Sequence, residues 1–225
     1  MKLSNKILIG FFGFIFLYLS AVFTEIRLRG NPNRFIEPAI AETLDLSEIK
    51  YLTLNDLGKV VKVVGSDKSQ IEIKSVDGNQ LRYLSYEILG DTLSLIRLDS
   101  AKNKPVSLLV HVPNDSFKGI KVLGAGVNVE SLSQKQLSII QNDGWIDLRD
   151  CNLGRLELIS KSRANLTVTN SELDSLNALI DQSEIRFYIP INFISGEMSN
   201  NSYLRVKGTD IIQLKTDKKS RIELN

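Results

Sequence analysis

From Ile120 to the last residue, one short pattern returns roughly every nineteen residues. A period of that length has to be read before any local signal. Its centre is an apolar pair with one residue between: Val127/Val129, Ile146/Leu148, Leu166/Val168, Ile185/Phe187, Leu204/Val206 and Ile222/Leu224. Two residues ahead of each pair stands something small: Ala125, Gly144, Ala164, Ser183, Ser202 or Ser220. A second set recurs between these pairs as Leu137/Ile139, Leu156/Leu158, Leu176/Ala178, Ile194/Gly196 and Leu214 alone. Strand side chains alternate faces, so a pair at i and i+2 points one way and its neighbours the other. The small residue shares the parity of the pair and is expected to face inward at a corner. A third inward group is expected at Leu153, Leu173 and Ile211, each two residues after Cys151, Ser171 or Thr209. Polar runs such as Gln141-Asn142-Asp143 and Ser160-Lys161-Ser162-Arg163 suit solvated corners.

Four or five inward side chains cannot offset the ordering of a whole rung, so each rung needs neighbours to bury its apolar face and pair its backbone. Stacking supplies both and makes stability a nearest-neighbour property. The pattern therefore predicts an all-β fold, a single-stranded parallel β-helix (solenoid). The competing reading is a β-sandwich of hairpins with accidental regularity.

Composition narrows function mainly by exclusion. A formal charge of +2 over 225 residues argues neither for nucleic acid nor for a polyanionic surface. One cysteine excludes an internal disulfide framework, and Cys151 reads as a buried small residue. His111 is the one histidine, and alternation in Val110-His111-Val112 puts it opposite the valines. A metal site or a Ser/His triad has little to build on, so no cofactor, no metal and no catalytic residue are expected.

The start of the chain is of another kind. Ile7 to Phe23 is almost unbroken apolar sequence after Lys2 and Lys6, close in reach to the ~30 Å hydrocarbon thickness. Cleavage after Ala21 would place Leu19 at −3, a poor match to a signal-peptidase site. Residues 1–26 are therefore expected to be an uncleaved signal-anchor forming one transmembrane helix, although Arg27, Arg29 and Arg34 dilute the orientation signal. Residues 27–47 read as a linker broken by Pro32 and Pro38, with a short helix over residues 39–44. Residues 48–116 read as strands and hairpins capping the first rung. Gly65-Ser66-Asp67-Lys68 would join Val60–Val64 to Ile71–Ile73, and Gly90-Asp91 would join Leu81–Leu89 to Leu93–Leu98. Residues 117–225 are the repeat rungs. At the far end, Asp217, Lys218, Lys219, Arg221 and Glu223 look like protection against edge-to-edge pairing, a partner strand being the alternative.

Val112-Pro113, then Phe117-Lys118-Gly119-Ile120-Lys121-Val122-Leu123-Gly124-Ala125-Gly126, then the repeating rungs, resemble the auto-transporter adhesin head, or GIN, domain family of bacterial envelope proteins. The resemblance spans residues 47–225 and rests on pattern more than on invariant motif. It implies a right-handed solenoid in the bacterial envelope, held by an amino-terminal membrane segment on the extracytoplasmic (periplasmic) side. The partners implied are the membrane, through the helix, and an envelope polysaccharide or protein. Residues 117–225 hold no run of alternating strands long enough for a translocator barrel, so the auto-transporter half of the family's name is not expected to carry over.

In the expected register, Arg186 stacks on Arg205 with Tyr188, Tyr203 and Lys207 around them. These five are the candidate binding residues, suited to an anionic envelope polymer through guanidinium forks and tyrosine faces. Reversing both arginines to glutamate would then abolish binding to acidic glycans. The plainer reading is a solvated face whose arginines turn to Glu184 and Glu223, with Glu130 meeting Arg149. The function expected is a non-catalytic, adhesin-head-like scaffold or binding module. Its rival is a polysaccharide-active β-helix lyase or esterase using Asp143, Asp147, Arg149 and Asp150 about Trp145.

Overall fold

The computed structural model describes residues 3–29, 40–99 and 106–225, with the side chains of residues 10–24 in the first of these. Helix α1 (Leu3–Arg29) belongs to one compact unit and everything from Ile40 to Asn225 to another. Among the described residues no helix is long and apolar enough to cross a membrane, so the expected transmembrane helix is not established by the fold. Most of the expected linker, with Pro32 and Pro38, lies outside the described residues. The expected short helix after Pro38 is instead strand β1 (Ile40–Asp45), whose backbone is satisfied by an antiparallel partner rather than within a helical turn.

The second unit is an all-β solenoid of about six turns. Its strands in chain order continue as β2 (Tyr51–Asn55), β3 (Val61–Ser66), β4 (Gln70–Ser75), β5 (Leu84–Leu89), β6 (Thr92–Leu98), β7 (Val106–Pro113), β8 (Gly119–Leu123) and β9 (Gly126–Glu130). The regular turns follow as β10 (Ser133–Asn142), β11 (Trp145–Arg149), β12 (Asn152–Lys161), β13 (Asn165–Thr169), β14 (Glu172–Asp181), β15 (Glu184–Ser199), β16 (Tyr203–Thr216) and β17 (Arg221–Leu224).

Parallel pairing superposes the predicted pairs. Val61, Val127, Ile146, Leu166, Ile185, Leu204 and Ile222 are successive partners in one ladder. Ala125, Ala164, Ser183 and Ser202 are buried at the corner before it. A second ladder superposes Leu93, Leu52, Ile120, Ile139, Leu158, Ala178, Gly196 and Leu214. A short third side pairs Gln134 with Leu153 and Leu153 with Leu173. Burial of like residues against like, turn after turn, is the main favourable term. One inward file departs from the pattern. Gln141 and Ser160 are superposed and buried, and their side-chain polar atoms find no protein partner.

Three expectations fail here for physical reasons. Ile211 is 51% exposed and aligns with Phe193 in an outward file, while Thr209 pairs with the buried Ile191. The neighbouring Ile212 pairs with the buried Ile194 and takes the inward file, so strand alternation turns Ile211 out, after a bulge that sets Tyr188 and Ile189 of β15 both opposite Lys207. Next, β3 and β4 do not pair as a hairpin. β7 lies between them, parallel to β3 and antiparallel to β4. Last, the region before residue 117 is more than a cap. β2 and β3 form a parallel rung between the β6–β7 level and the β8–β9 level. The chain lays that rung down, leaves to build β4 to β7, and returns across it through residues 114–118. Antiparallel β5, β4 and β1 cover the outer edge of the β6–β7 level.

The corners require backbone that most residues resist. Asp143, Asp150, Asn170, Asn200 and Asn201 all have positive φ, which short polar side chains tolerate best. Asn170 donates its amide to the Asp150 carboxylate one turn away. Asp217 accepts from the backbone N–H groups of Asn200 at 2.7 Å, Ser220 at 2.7 Å and Lys219 at 3.1 Å, so this acid builds a corner instead of guarding an edge. The Ser220 hydroxyl and then these amides hold its carboxyl down at about 2. A depressed carboxylate adds stability above its ordinary pKa and loses it as pH falls through the folded value. Protection of the Asn200 and Ser220 amides against hydrogen exchange is therefore expected to fall between about pH 4 and pH 2. In an Asp217→Asn variant it should show no step there. A carboxyl at 217 that titrates near 4 would overturn the assignment.

Candidate functional site

The β15–β16 ladder brings the five candidate residues onto one outer face. Arg186 and Arg205 are direct partners, as are Glu184 and Tyr203. Each arginine is engaged locally. Arg186 Nη2 donates to Glu184 Oε1 at 2.5 Å, and Arg205 Nε lies 3.7 Å from Glu223 Oε1. The Arg205 guanidinium also sits 5.7 Å from the centroid of the Tyr188 ring, within cation–π range. Tyr203 donates its hydroxyl to Glu223 Oε2 at 2.7 Å. That bond lowers the Glu223 carboxyl, helped by Arg205 and Arg221 nearby, and raises the Tyr203 phenol against the opposing pull of the same two arginines. Lys207 is exposed opposite the bulge. The geometry is that of arginines turned to Glu184 and Glu223.

The carboxylates around Trp145 do not converge. Asp147 is bonded to Arg149, which raises the pKa of the guanidinium, while Asp143 and Asp150 are corner residues. Glu130, expected on Arg149, is held 2.6 Å from Lys62 Nζ instead. Trp145 itself lies over Gly126, where a Cβ would come within 2.7 Å of the indole. His111 faces away from the buried Val110 and Val112, with Nε2 3.1 Å from Glu72 Oε2. Burial pushes the Glu72 carboxyl up, but hydrogen bonds from His111 and Lys74 outweigh it and leave the pKa lowered. Cys151 is buried, which raises its thiol pKa, and its sulfur contacts the Arg149 carbonyl at 3.2 Å. Among the described residues no three His, Cys, Asp or Glu side chains are grouped to hold a metal ion.

A concave site lies elsewhere. Where residues 114–118 cross the β2–β3 rung, a groove of about 1130 Å³ opens against β10 and β12. The crossover is fastened at both ends. Asn114 N–H donates to the Ser66 carbonyl at 2.9 Å and Lys118 N–H to the Lys50 carbonyl at 2.7 Å. Phe117 is buried beneath it. Asn114 Oδ1 accepts from Ser133 N–H at 3.0 Å, and the Gln134 amide donates to the carbonyls of Pro113 and Asn114. Tyr51 lies along the groove, paired with Gly119. A Cβ on Gly119 would stand 3.3 Å from Tyr51 Cδ1 and 3.1 Å from the Ser138 carbonyl oxygen, so the glycine lets the ring lie close to the sheet.

No protein-family model matches the chain, and no curated protein sequence matches it. Solved structures do. That of a "putative adhesin" from Bacteroides fragilis NCTC 9343 superposes with a TM-score of 0.61 at 15% identity, over 84% of this chain and 98% of that one. A "putative adhesin" from Parabacteroides distasonis ATCC 8503 gives 0.50 at 11% identity, over 84% and 98%. A "putative lipid binding protein" from the same organism gives 0.52 at 14%, over 83% and 96%. The chain shares the β-solenoid fold of these structures. In this solenoid, sequence columns placed the arginine face but missed the groove, which arises from a crossover between strands far apart in the chain. One signal was present in the sequence. Phe117 interrupts the polar run Asn114-Asp115-Ser116 and marks a loop that must be pinned to the core.

Proposed function

We propose that this chain is a non-catalytic, adhesin-head-like scaffold of a bacterial cell envelope, tethered by its apolar N-terminal segment with the solenoid on the extracytoplasmic side. What carries the reading is how the outer charges are used. Arg149 goes to Asp147, Arg186 to Glu184, Arg205 to Glu223 and Lys62 to Glu130, while Asp150 and Asp217 serve corners. Glu72, Asp217 and Glu223 are all shifted downward, away from the raised pKa that a general acid needs near neutral pH. Such a surface suits display and contact better than proton transfer. The similarity to the "putative adhesin" structures and the resemblance of the rung motif to adhesin heads point the same way.

The tether rests on the apolar run from Ile7 to Phe23. Phe11, Phe12, Phe14, Phe16 and Phe23 are exposed around the helix, and a helix apolar on all sides needs a non-aqueous surrounding. Protease treatment of bacterial cells carrying the full chain tests the whole reading. The solenoid should sediment with membranes, resist protease in intact cells and be digested in spheroplasts, and removal of residues 1–26 should release it. Resistance in spheroplasts, or a full chain left in the soluble fraction after lysis, would overturn the placement.

A further inference from the structure

Taking the non-catalytic binding reading as its basis, we infer that the crossover groove is a binding site for a neutral, hydroxyl-rich oligosaccharide. Three observations lead there. The first is chemical pairing. Gln136 and Asn152 are exposed on the groove wall, and each side-chain amide offers a donor and an acceptor, the combination that neighbouring sugar hydroxyls require. Ser116 and Ser138 add hydroxyls that can serve either role.

The second is the aromatic platform. Tyr51 is 40% exposed, and Gly119 beneath it keeps the ring close to the sheet. A ring fixed this way presents an apolar surface of sugar size with little freedom left to lose on binding. The third is charge. Lys118 and Lys135 are balanced within the lining by Asp115 and Glu157, and Glu157 has Arg155 3.5 Å away. A groove without net charge favours a neutral ligand over an acidic polymer or an anionic headgroup. Its polar lining gives no deep apolar pocket for an acyl chain. The crossover also holds its shape beforehand, because both ends are hydrogen-bonded and Phe117 is buried, so binding has little loop ordering to offset.

The test uses the full chain and three neutral probes: maltohexaose, cellohexaose and chitohexaose. Hexagalacturonic acid and phosphatidylcholine vesicles serve as acidic and lipid comparators. Calorimetry and side-chain amide NMR are the readouts. At least one neutral hexasaccharide should bind and shift the Gln136 and Asn152 amide signals. Tyr51→Ala should weaken it by about tenfold or more, Tyr51→Phe should retain it, and Gln136→Ala should weaken it without a change in melting temperature. Arg186→Glu with Arg205→Glu should leave it unchanged. The inference fails if none of the neutral probes binds at millimolar concentration, or if only hexagalacturonic acid or the vesicles bind. It also fails if Tyr51→Ala and Gln136→Ala both bind like the parent. Reducing ends are assayed in the same tubes. Cleavage of a probe would sink the non-catalytic reading, whereas absence of binding would sink the groove alone.

Discussion

Replacing Leu166 by alanine is expected to lower the unfolding free energy by about 2–5 kcal/mol. Leu166 is fully buried, and its ladder partners Ile146 and Ile185 are buried above and below it. The corner residue before it, Ala164, is already as small as the site allows without losing its side chain and is also fully buried. Nothing at that level can move in to fill the void, so the cavity term adds to the transfer term. Each rung is held by its two neighbours, and the truncation weakens both interfaces at once. Urea unfolding should show a lower midpoint with an unchanged slope, because the area exposed on unfolding is nearly the same. Leu224→Ala makes the comparison. Leu224 lies in the last strand and is 54% exposed, so its truncation should stay within about 0.5 kcal/mol of the parent. Equal shifts for the two variants would mean that burial within the stack is not what holds it.

That contrast also marks what could be read from residues alone. The inward files were legible because strand alternation has a period of two and the rung a nearly constant length. A residue and its partner one turn on then carry the same parity, as Leu166 and Ile185 do. The five residues of the arginine face fell together for the same reason. Topology at the start was not legible. Val61/Val63 and Val110/Val112 have the same local alternation, and nothing in either says that β7 will settle between β3 and β4. Strand order there depends on which edges remain free, a property of the assembled sheet. The misplacement of Ile211 has a smaller cause: Ile211 and Ile212 are adjacent and equally apolar, and only the pairing of Ile212 with the buried Ile194 shows which of them takes the inward parity. Ion partners escaped too. Arg149 can reach along its own strand or across to the next rung, and it takes Asp147 over Glu130.

Gly196→Ala should destabilise the solenoid by at least about 2 kcal/mol, for a reason that lies in the backbone. Gly196 has φ +129, which L-residues rarely adopt, and it is the ladder partner of Ala178 on one side and Leu214 on the other. A Cβ there would overlap the Ala178 carbonyl oxygen. In its file the inward side chains shrink from Ile139 and Leu158 through Ala178 to Gly196. The same strand carries Phe187, fully buried and the largest residue of the opposite file, so volume lost on one side of the turn is matched on the other. Two explanations of the loss separate cleanly. If the new methyl only overfills the interior, trimming its neighbour with Ala178→Gly should restore stability. If the obstacle is the carbonyl together with the positive φ, the double variant should remain as unstable as the single one, and that is the expected result. Gly208→Ala is the control: nothing lies within 4 Å of its Cβ position and its φ is not positive, so it should unfold at the parent's midpoint or slightly above. Recovery in the double variant would assign the loss to packing and remove the backbone argument.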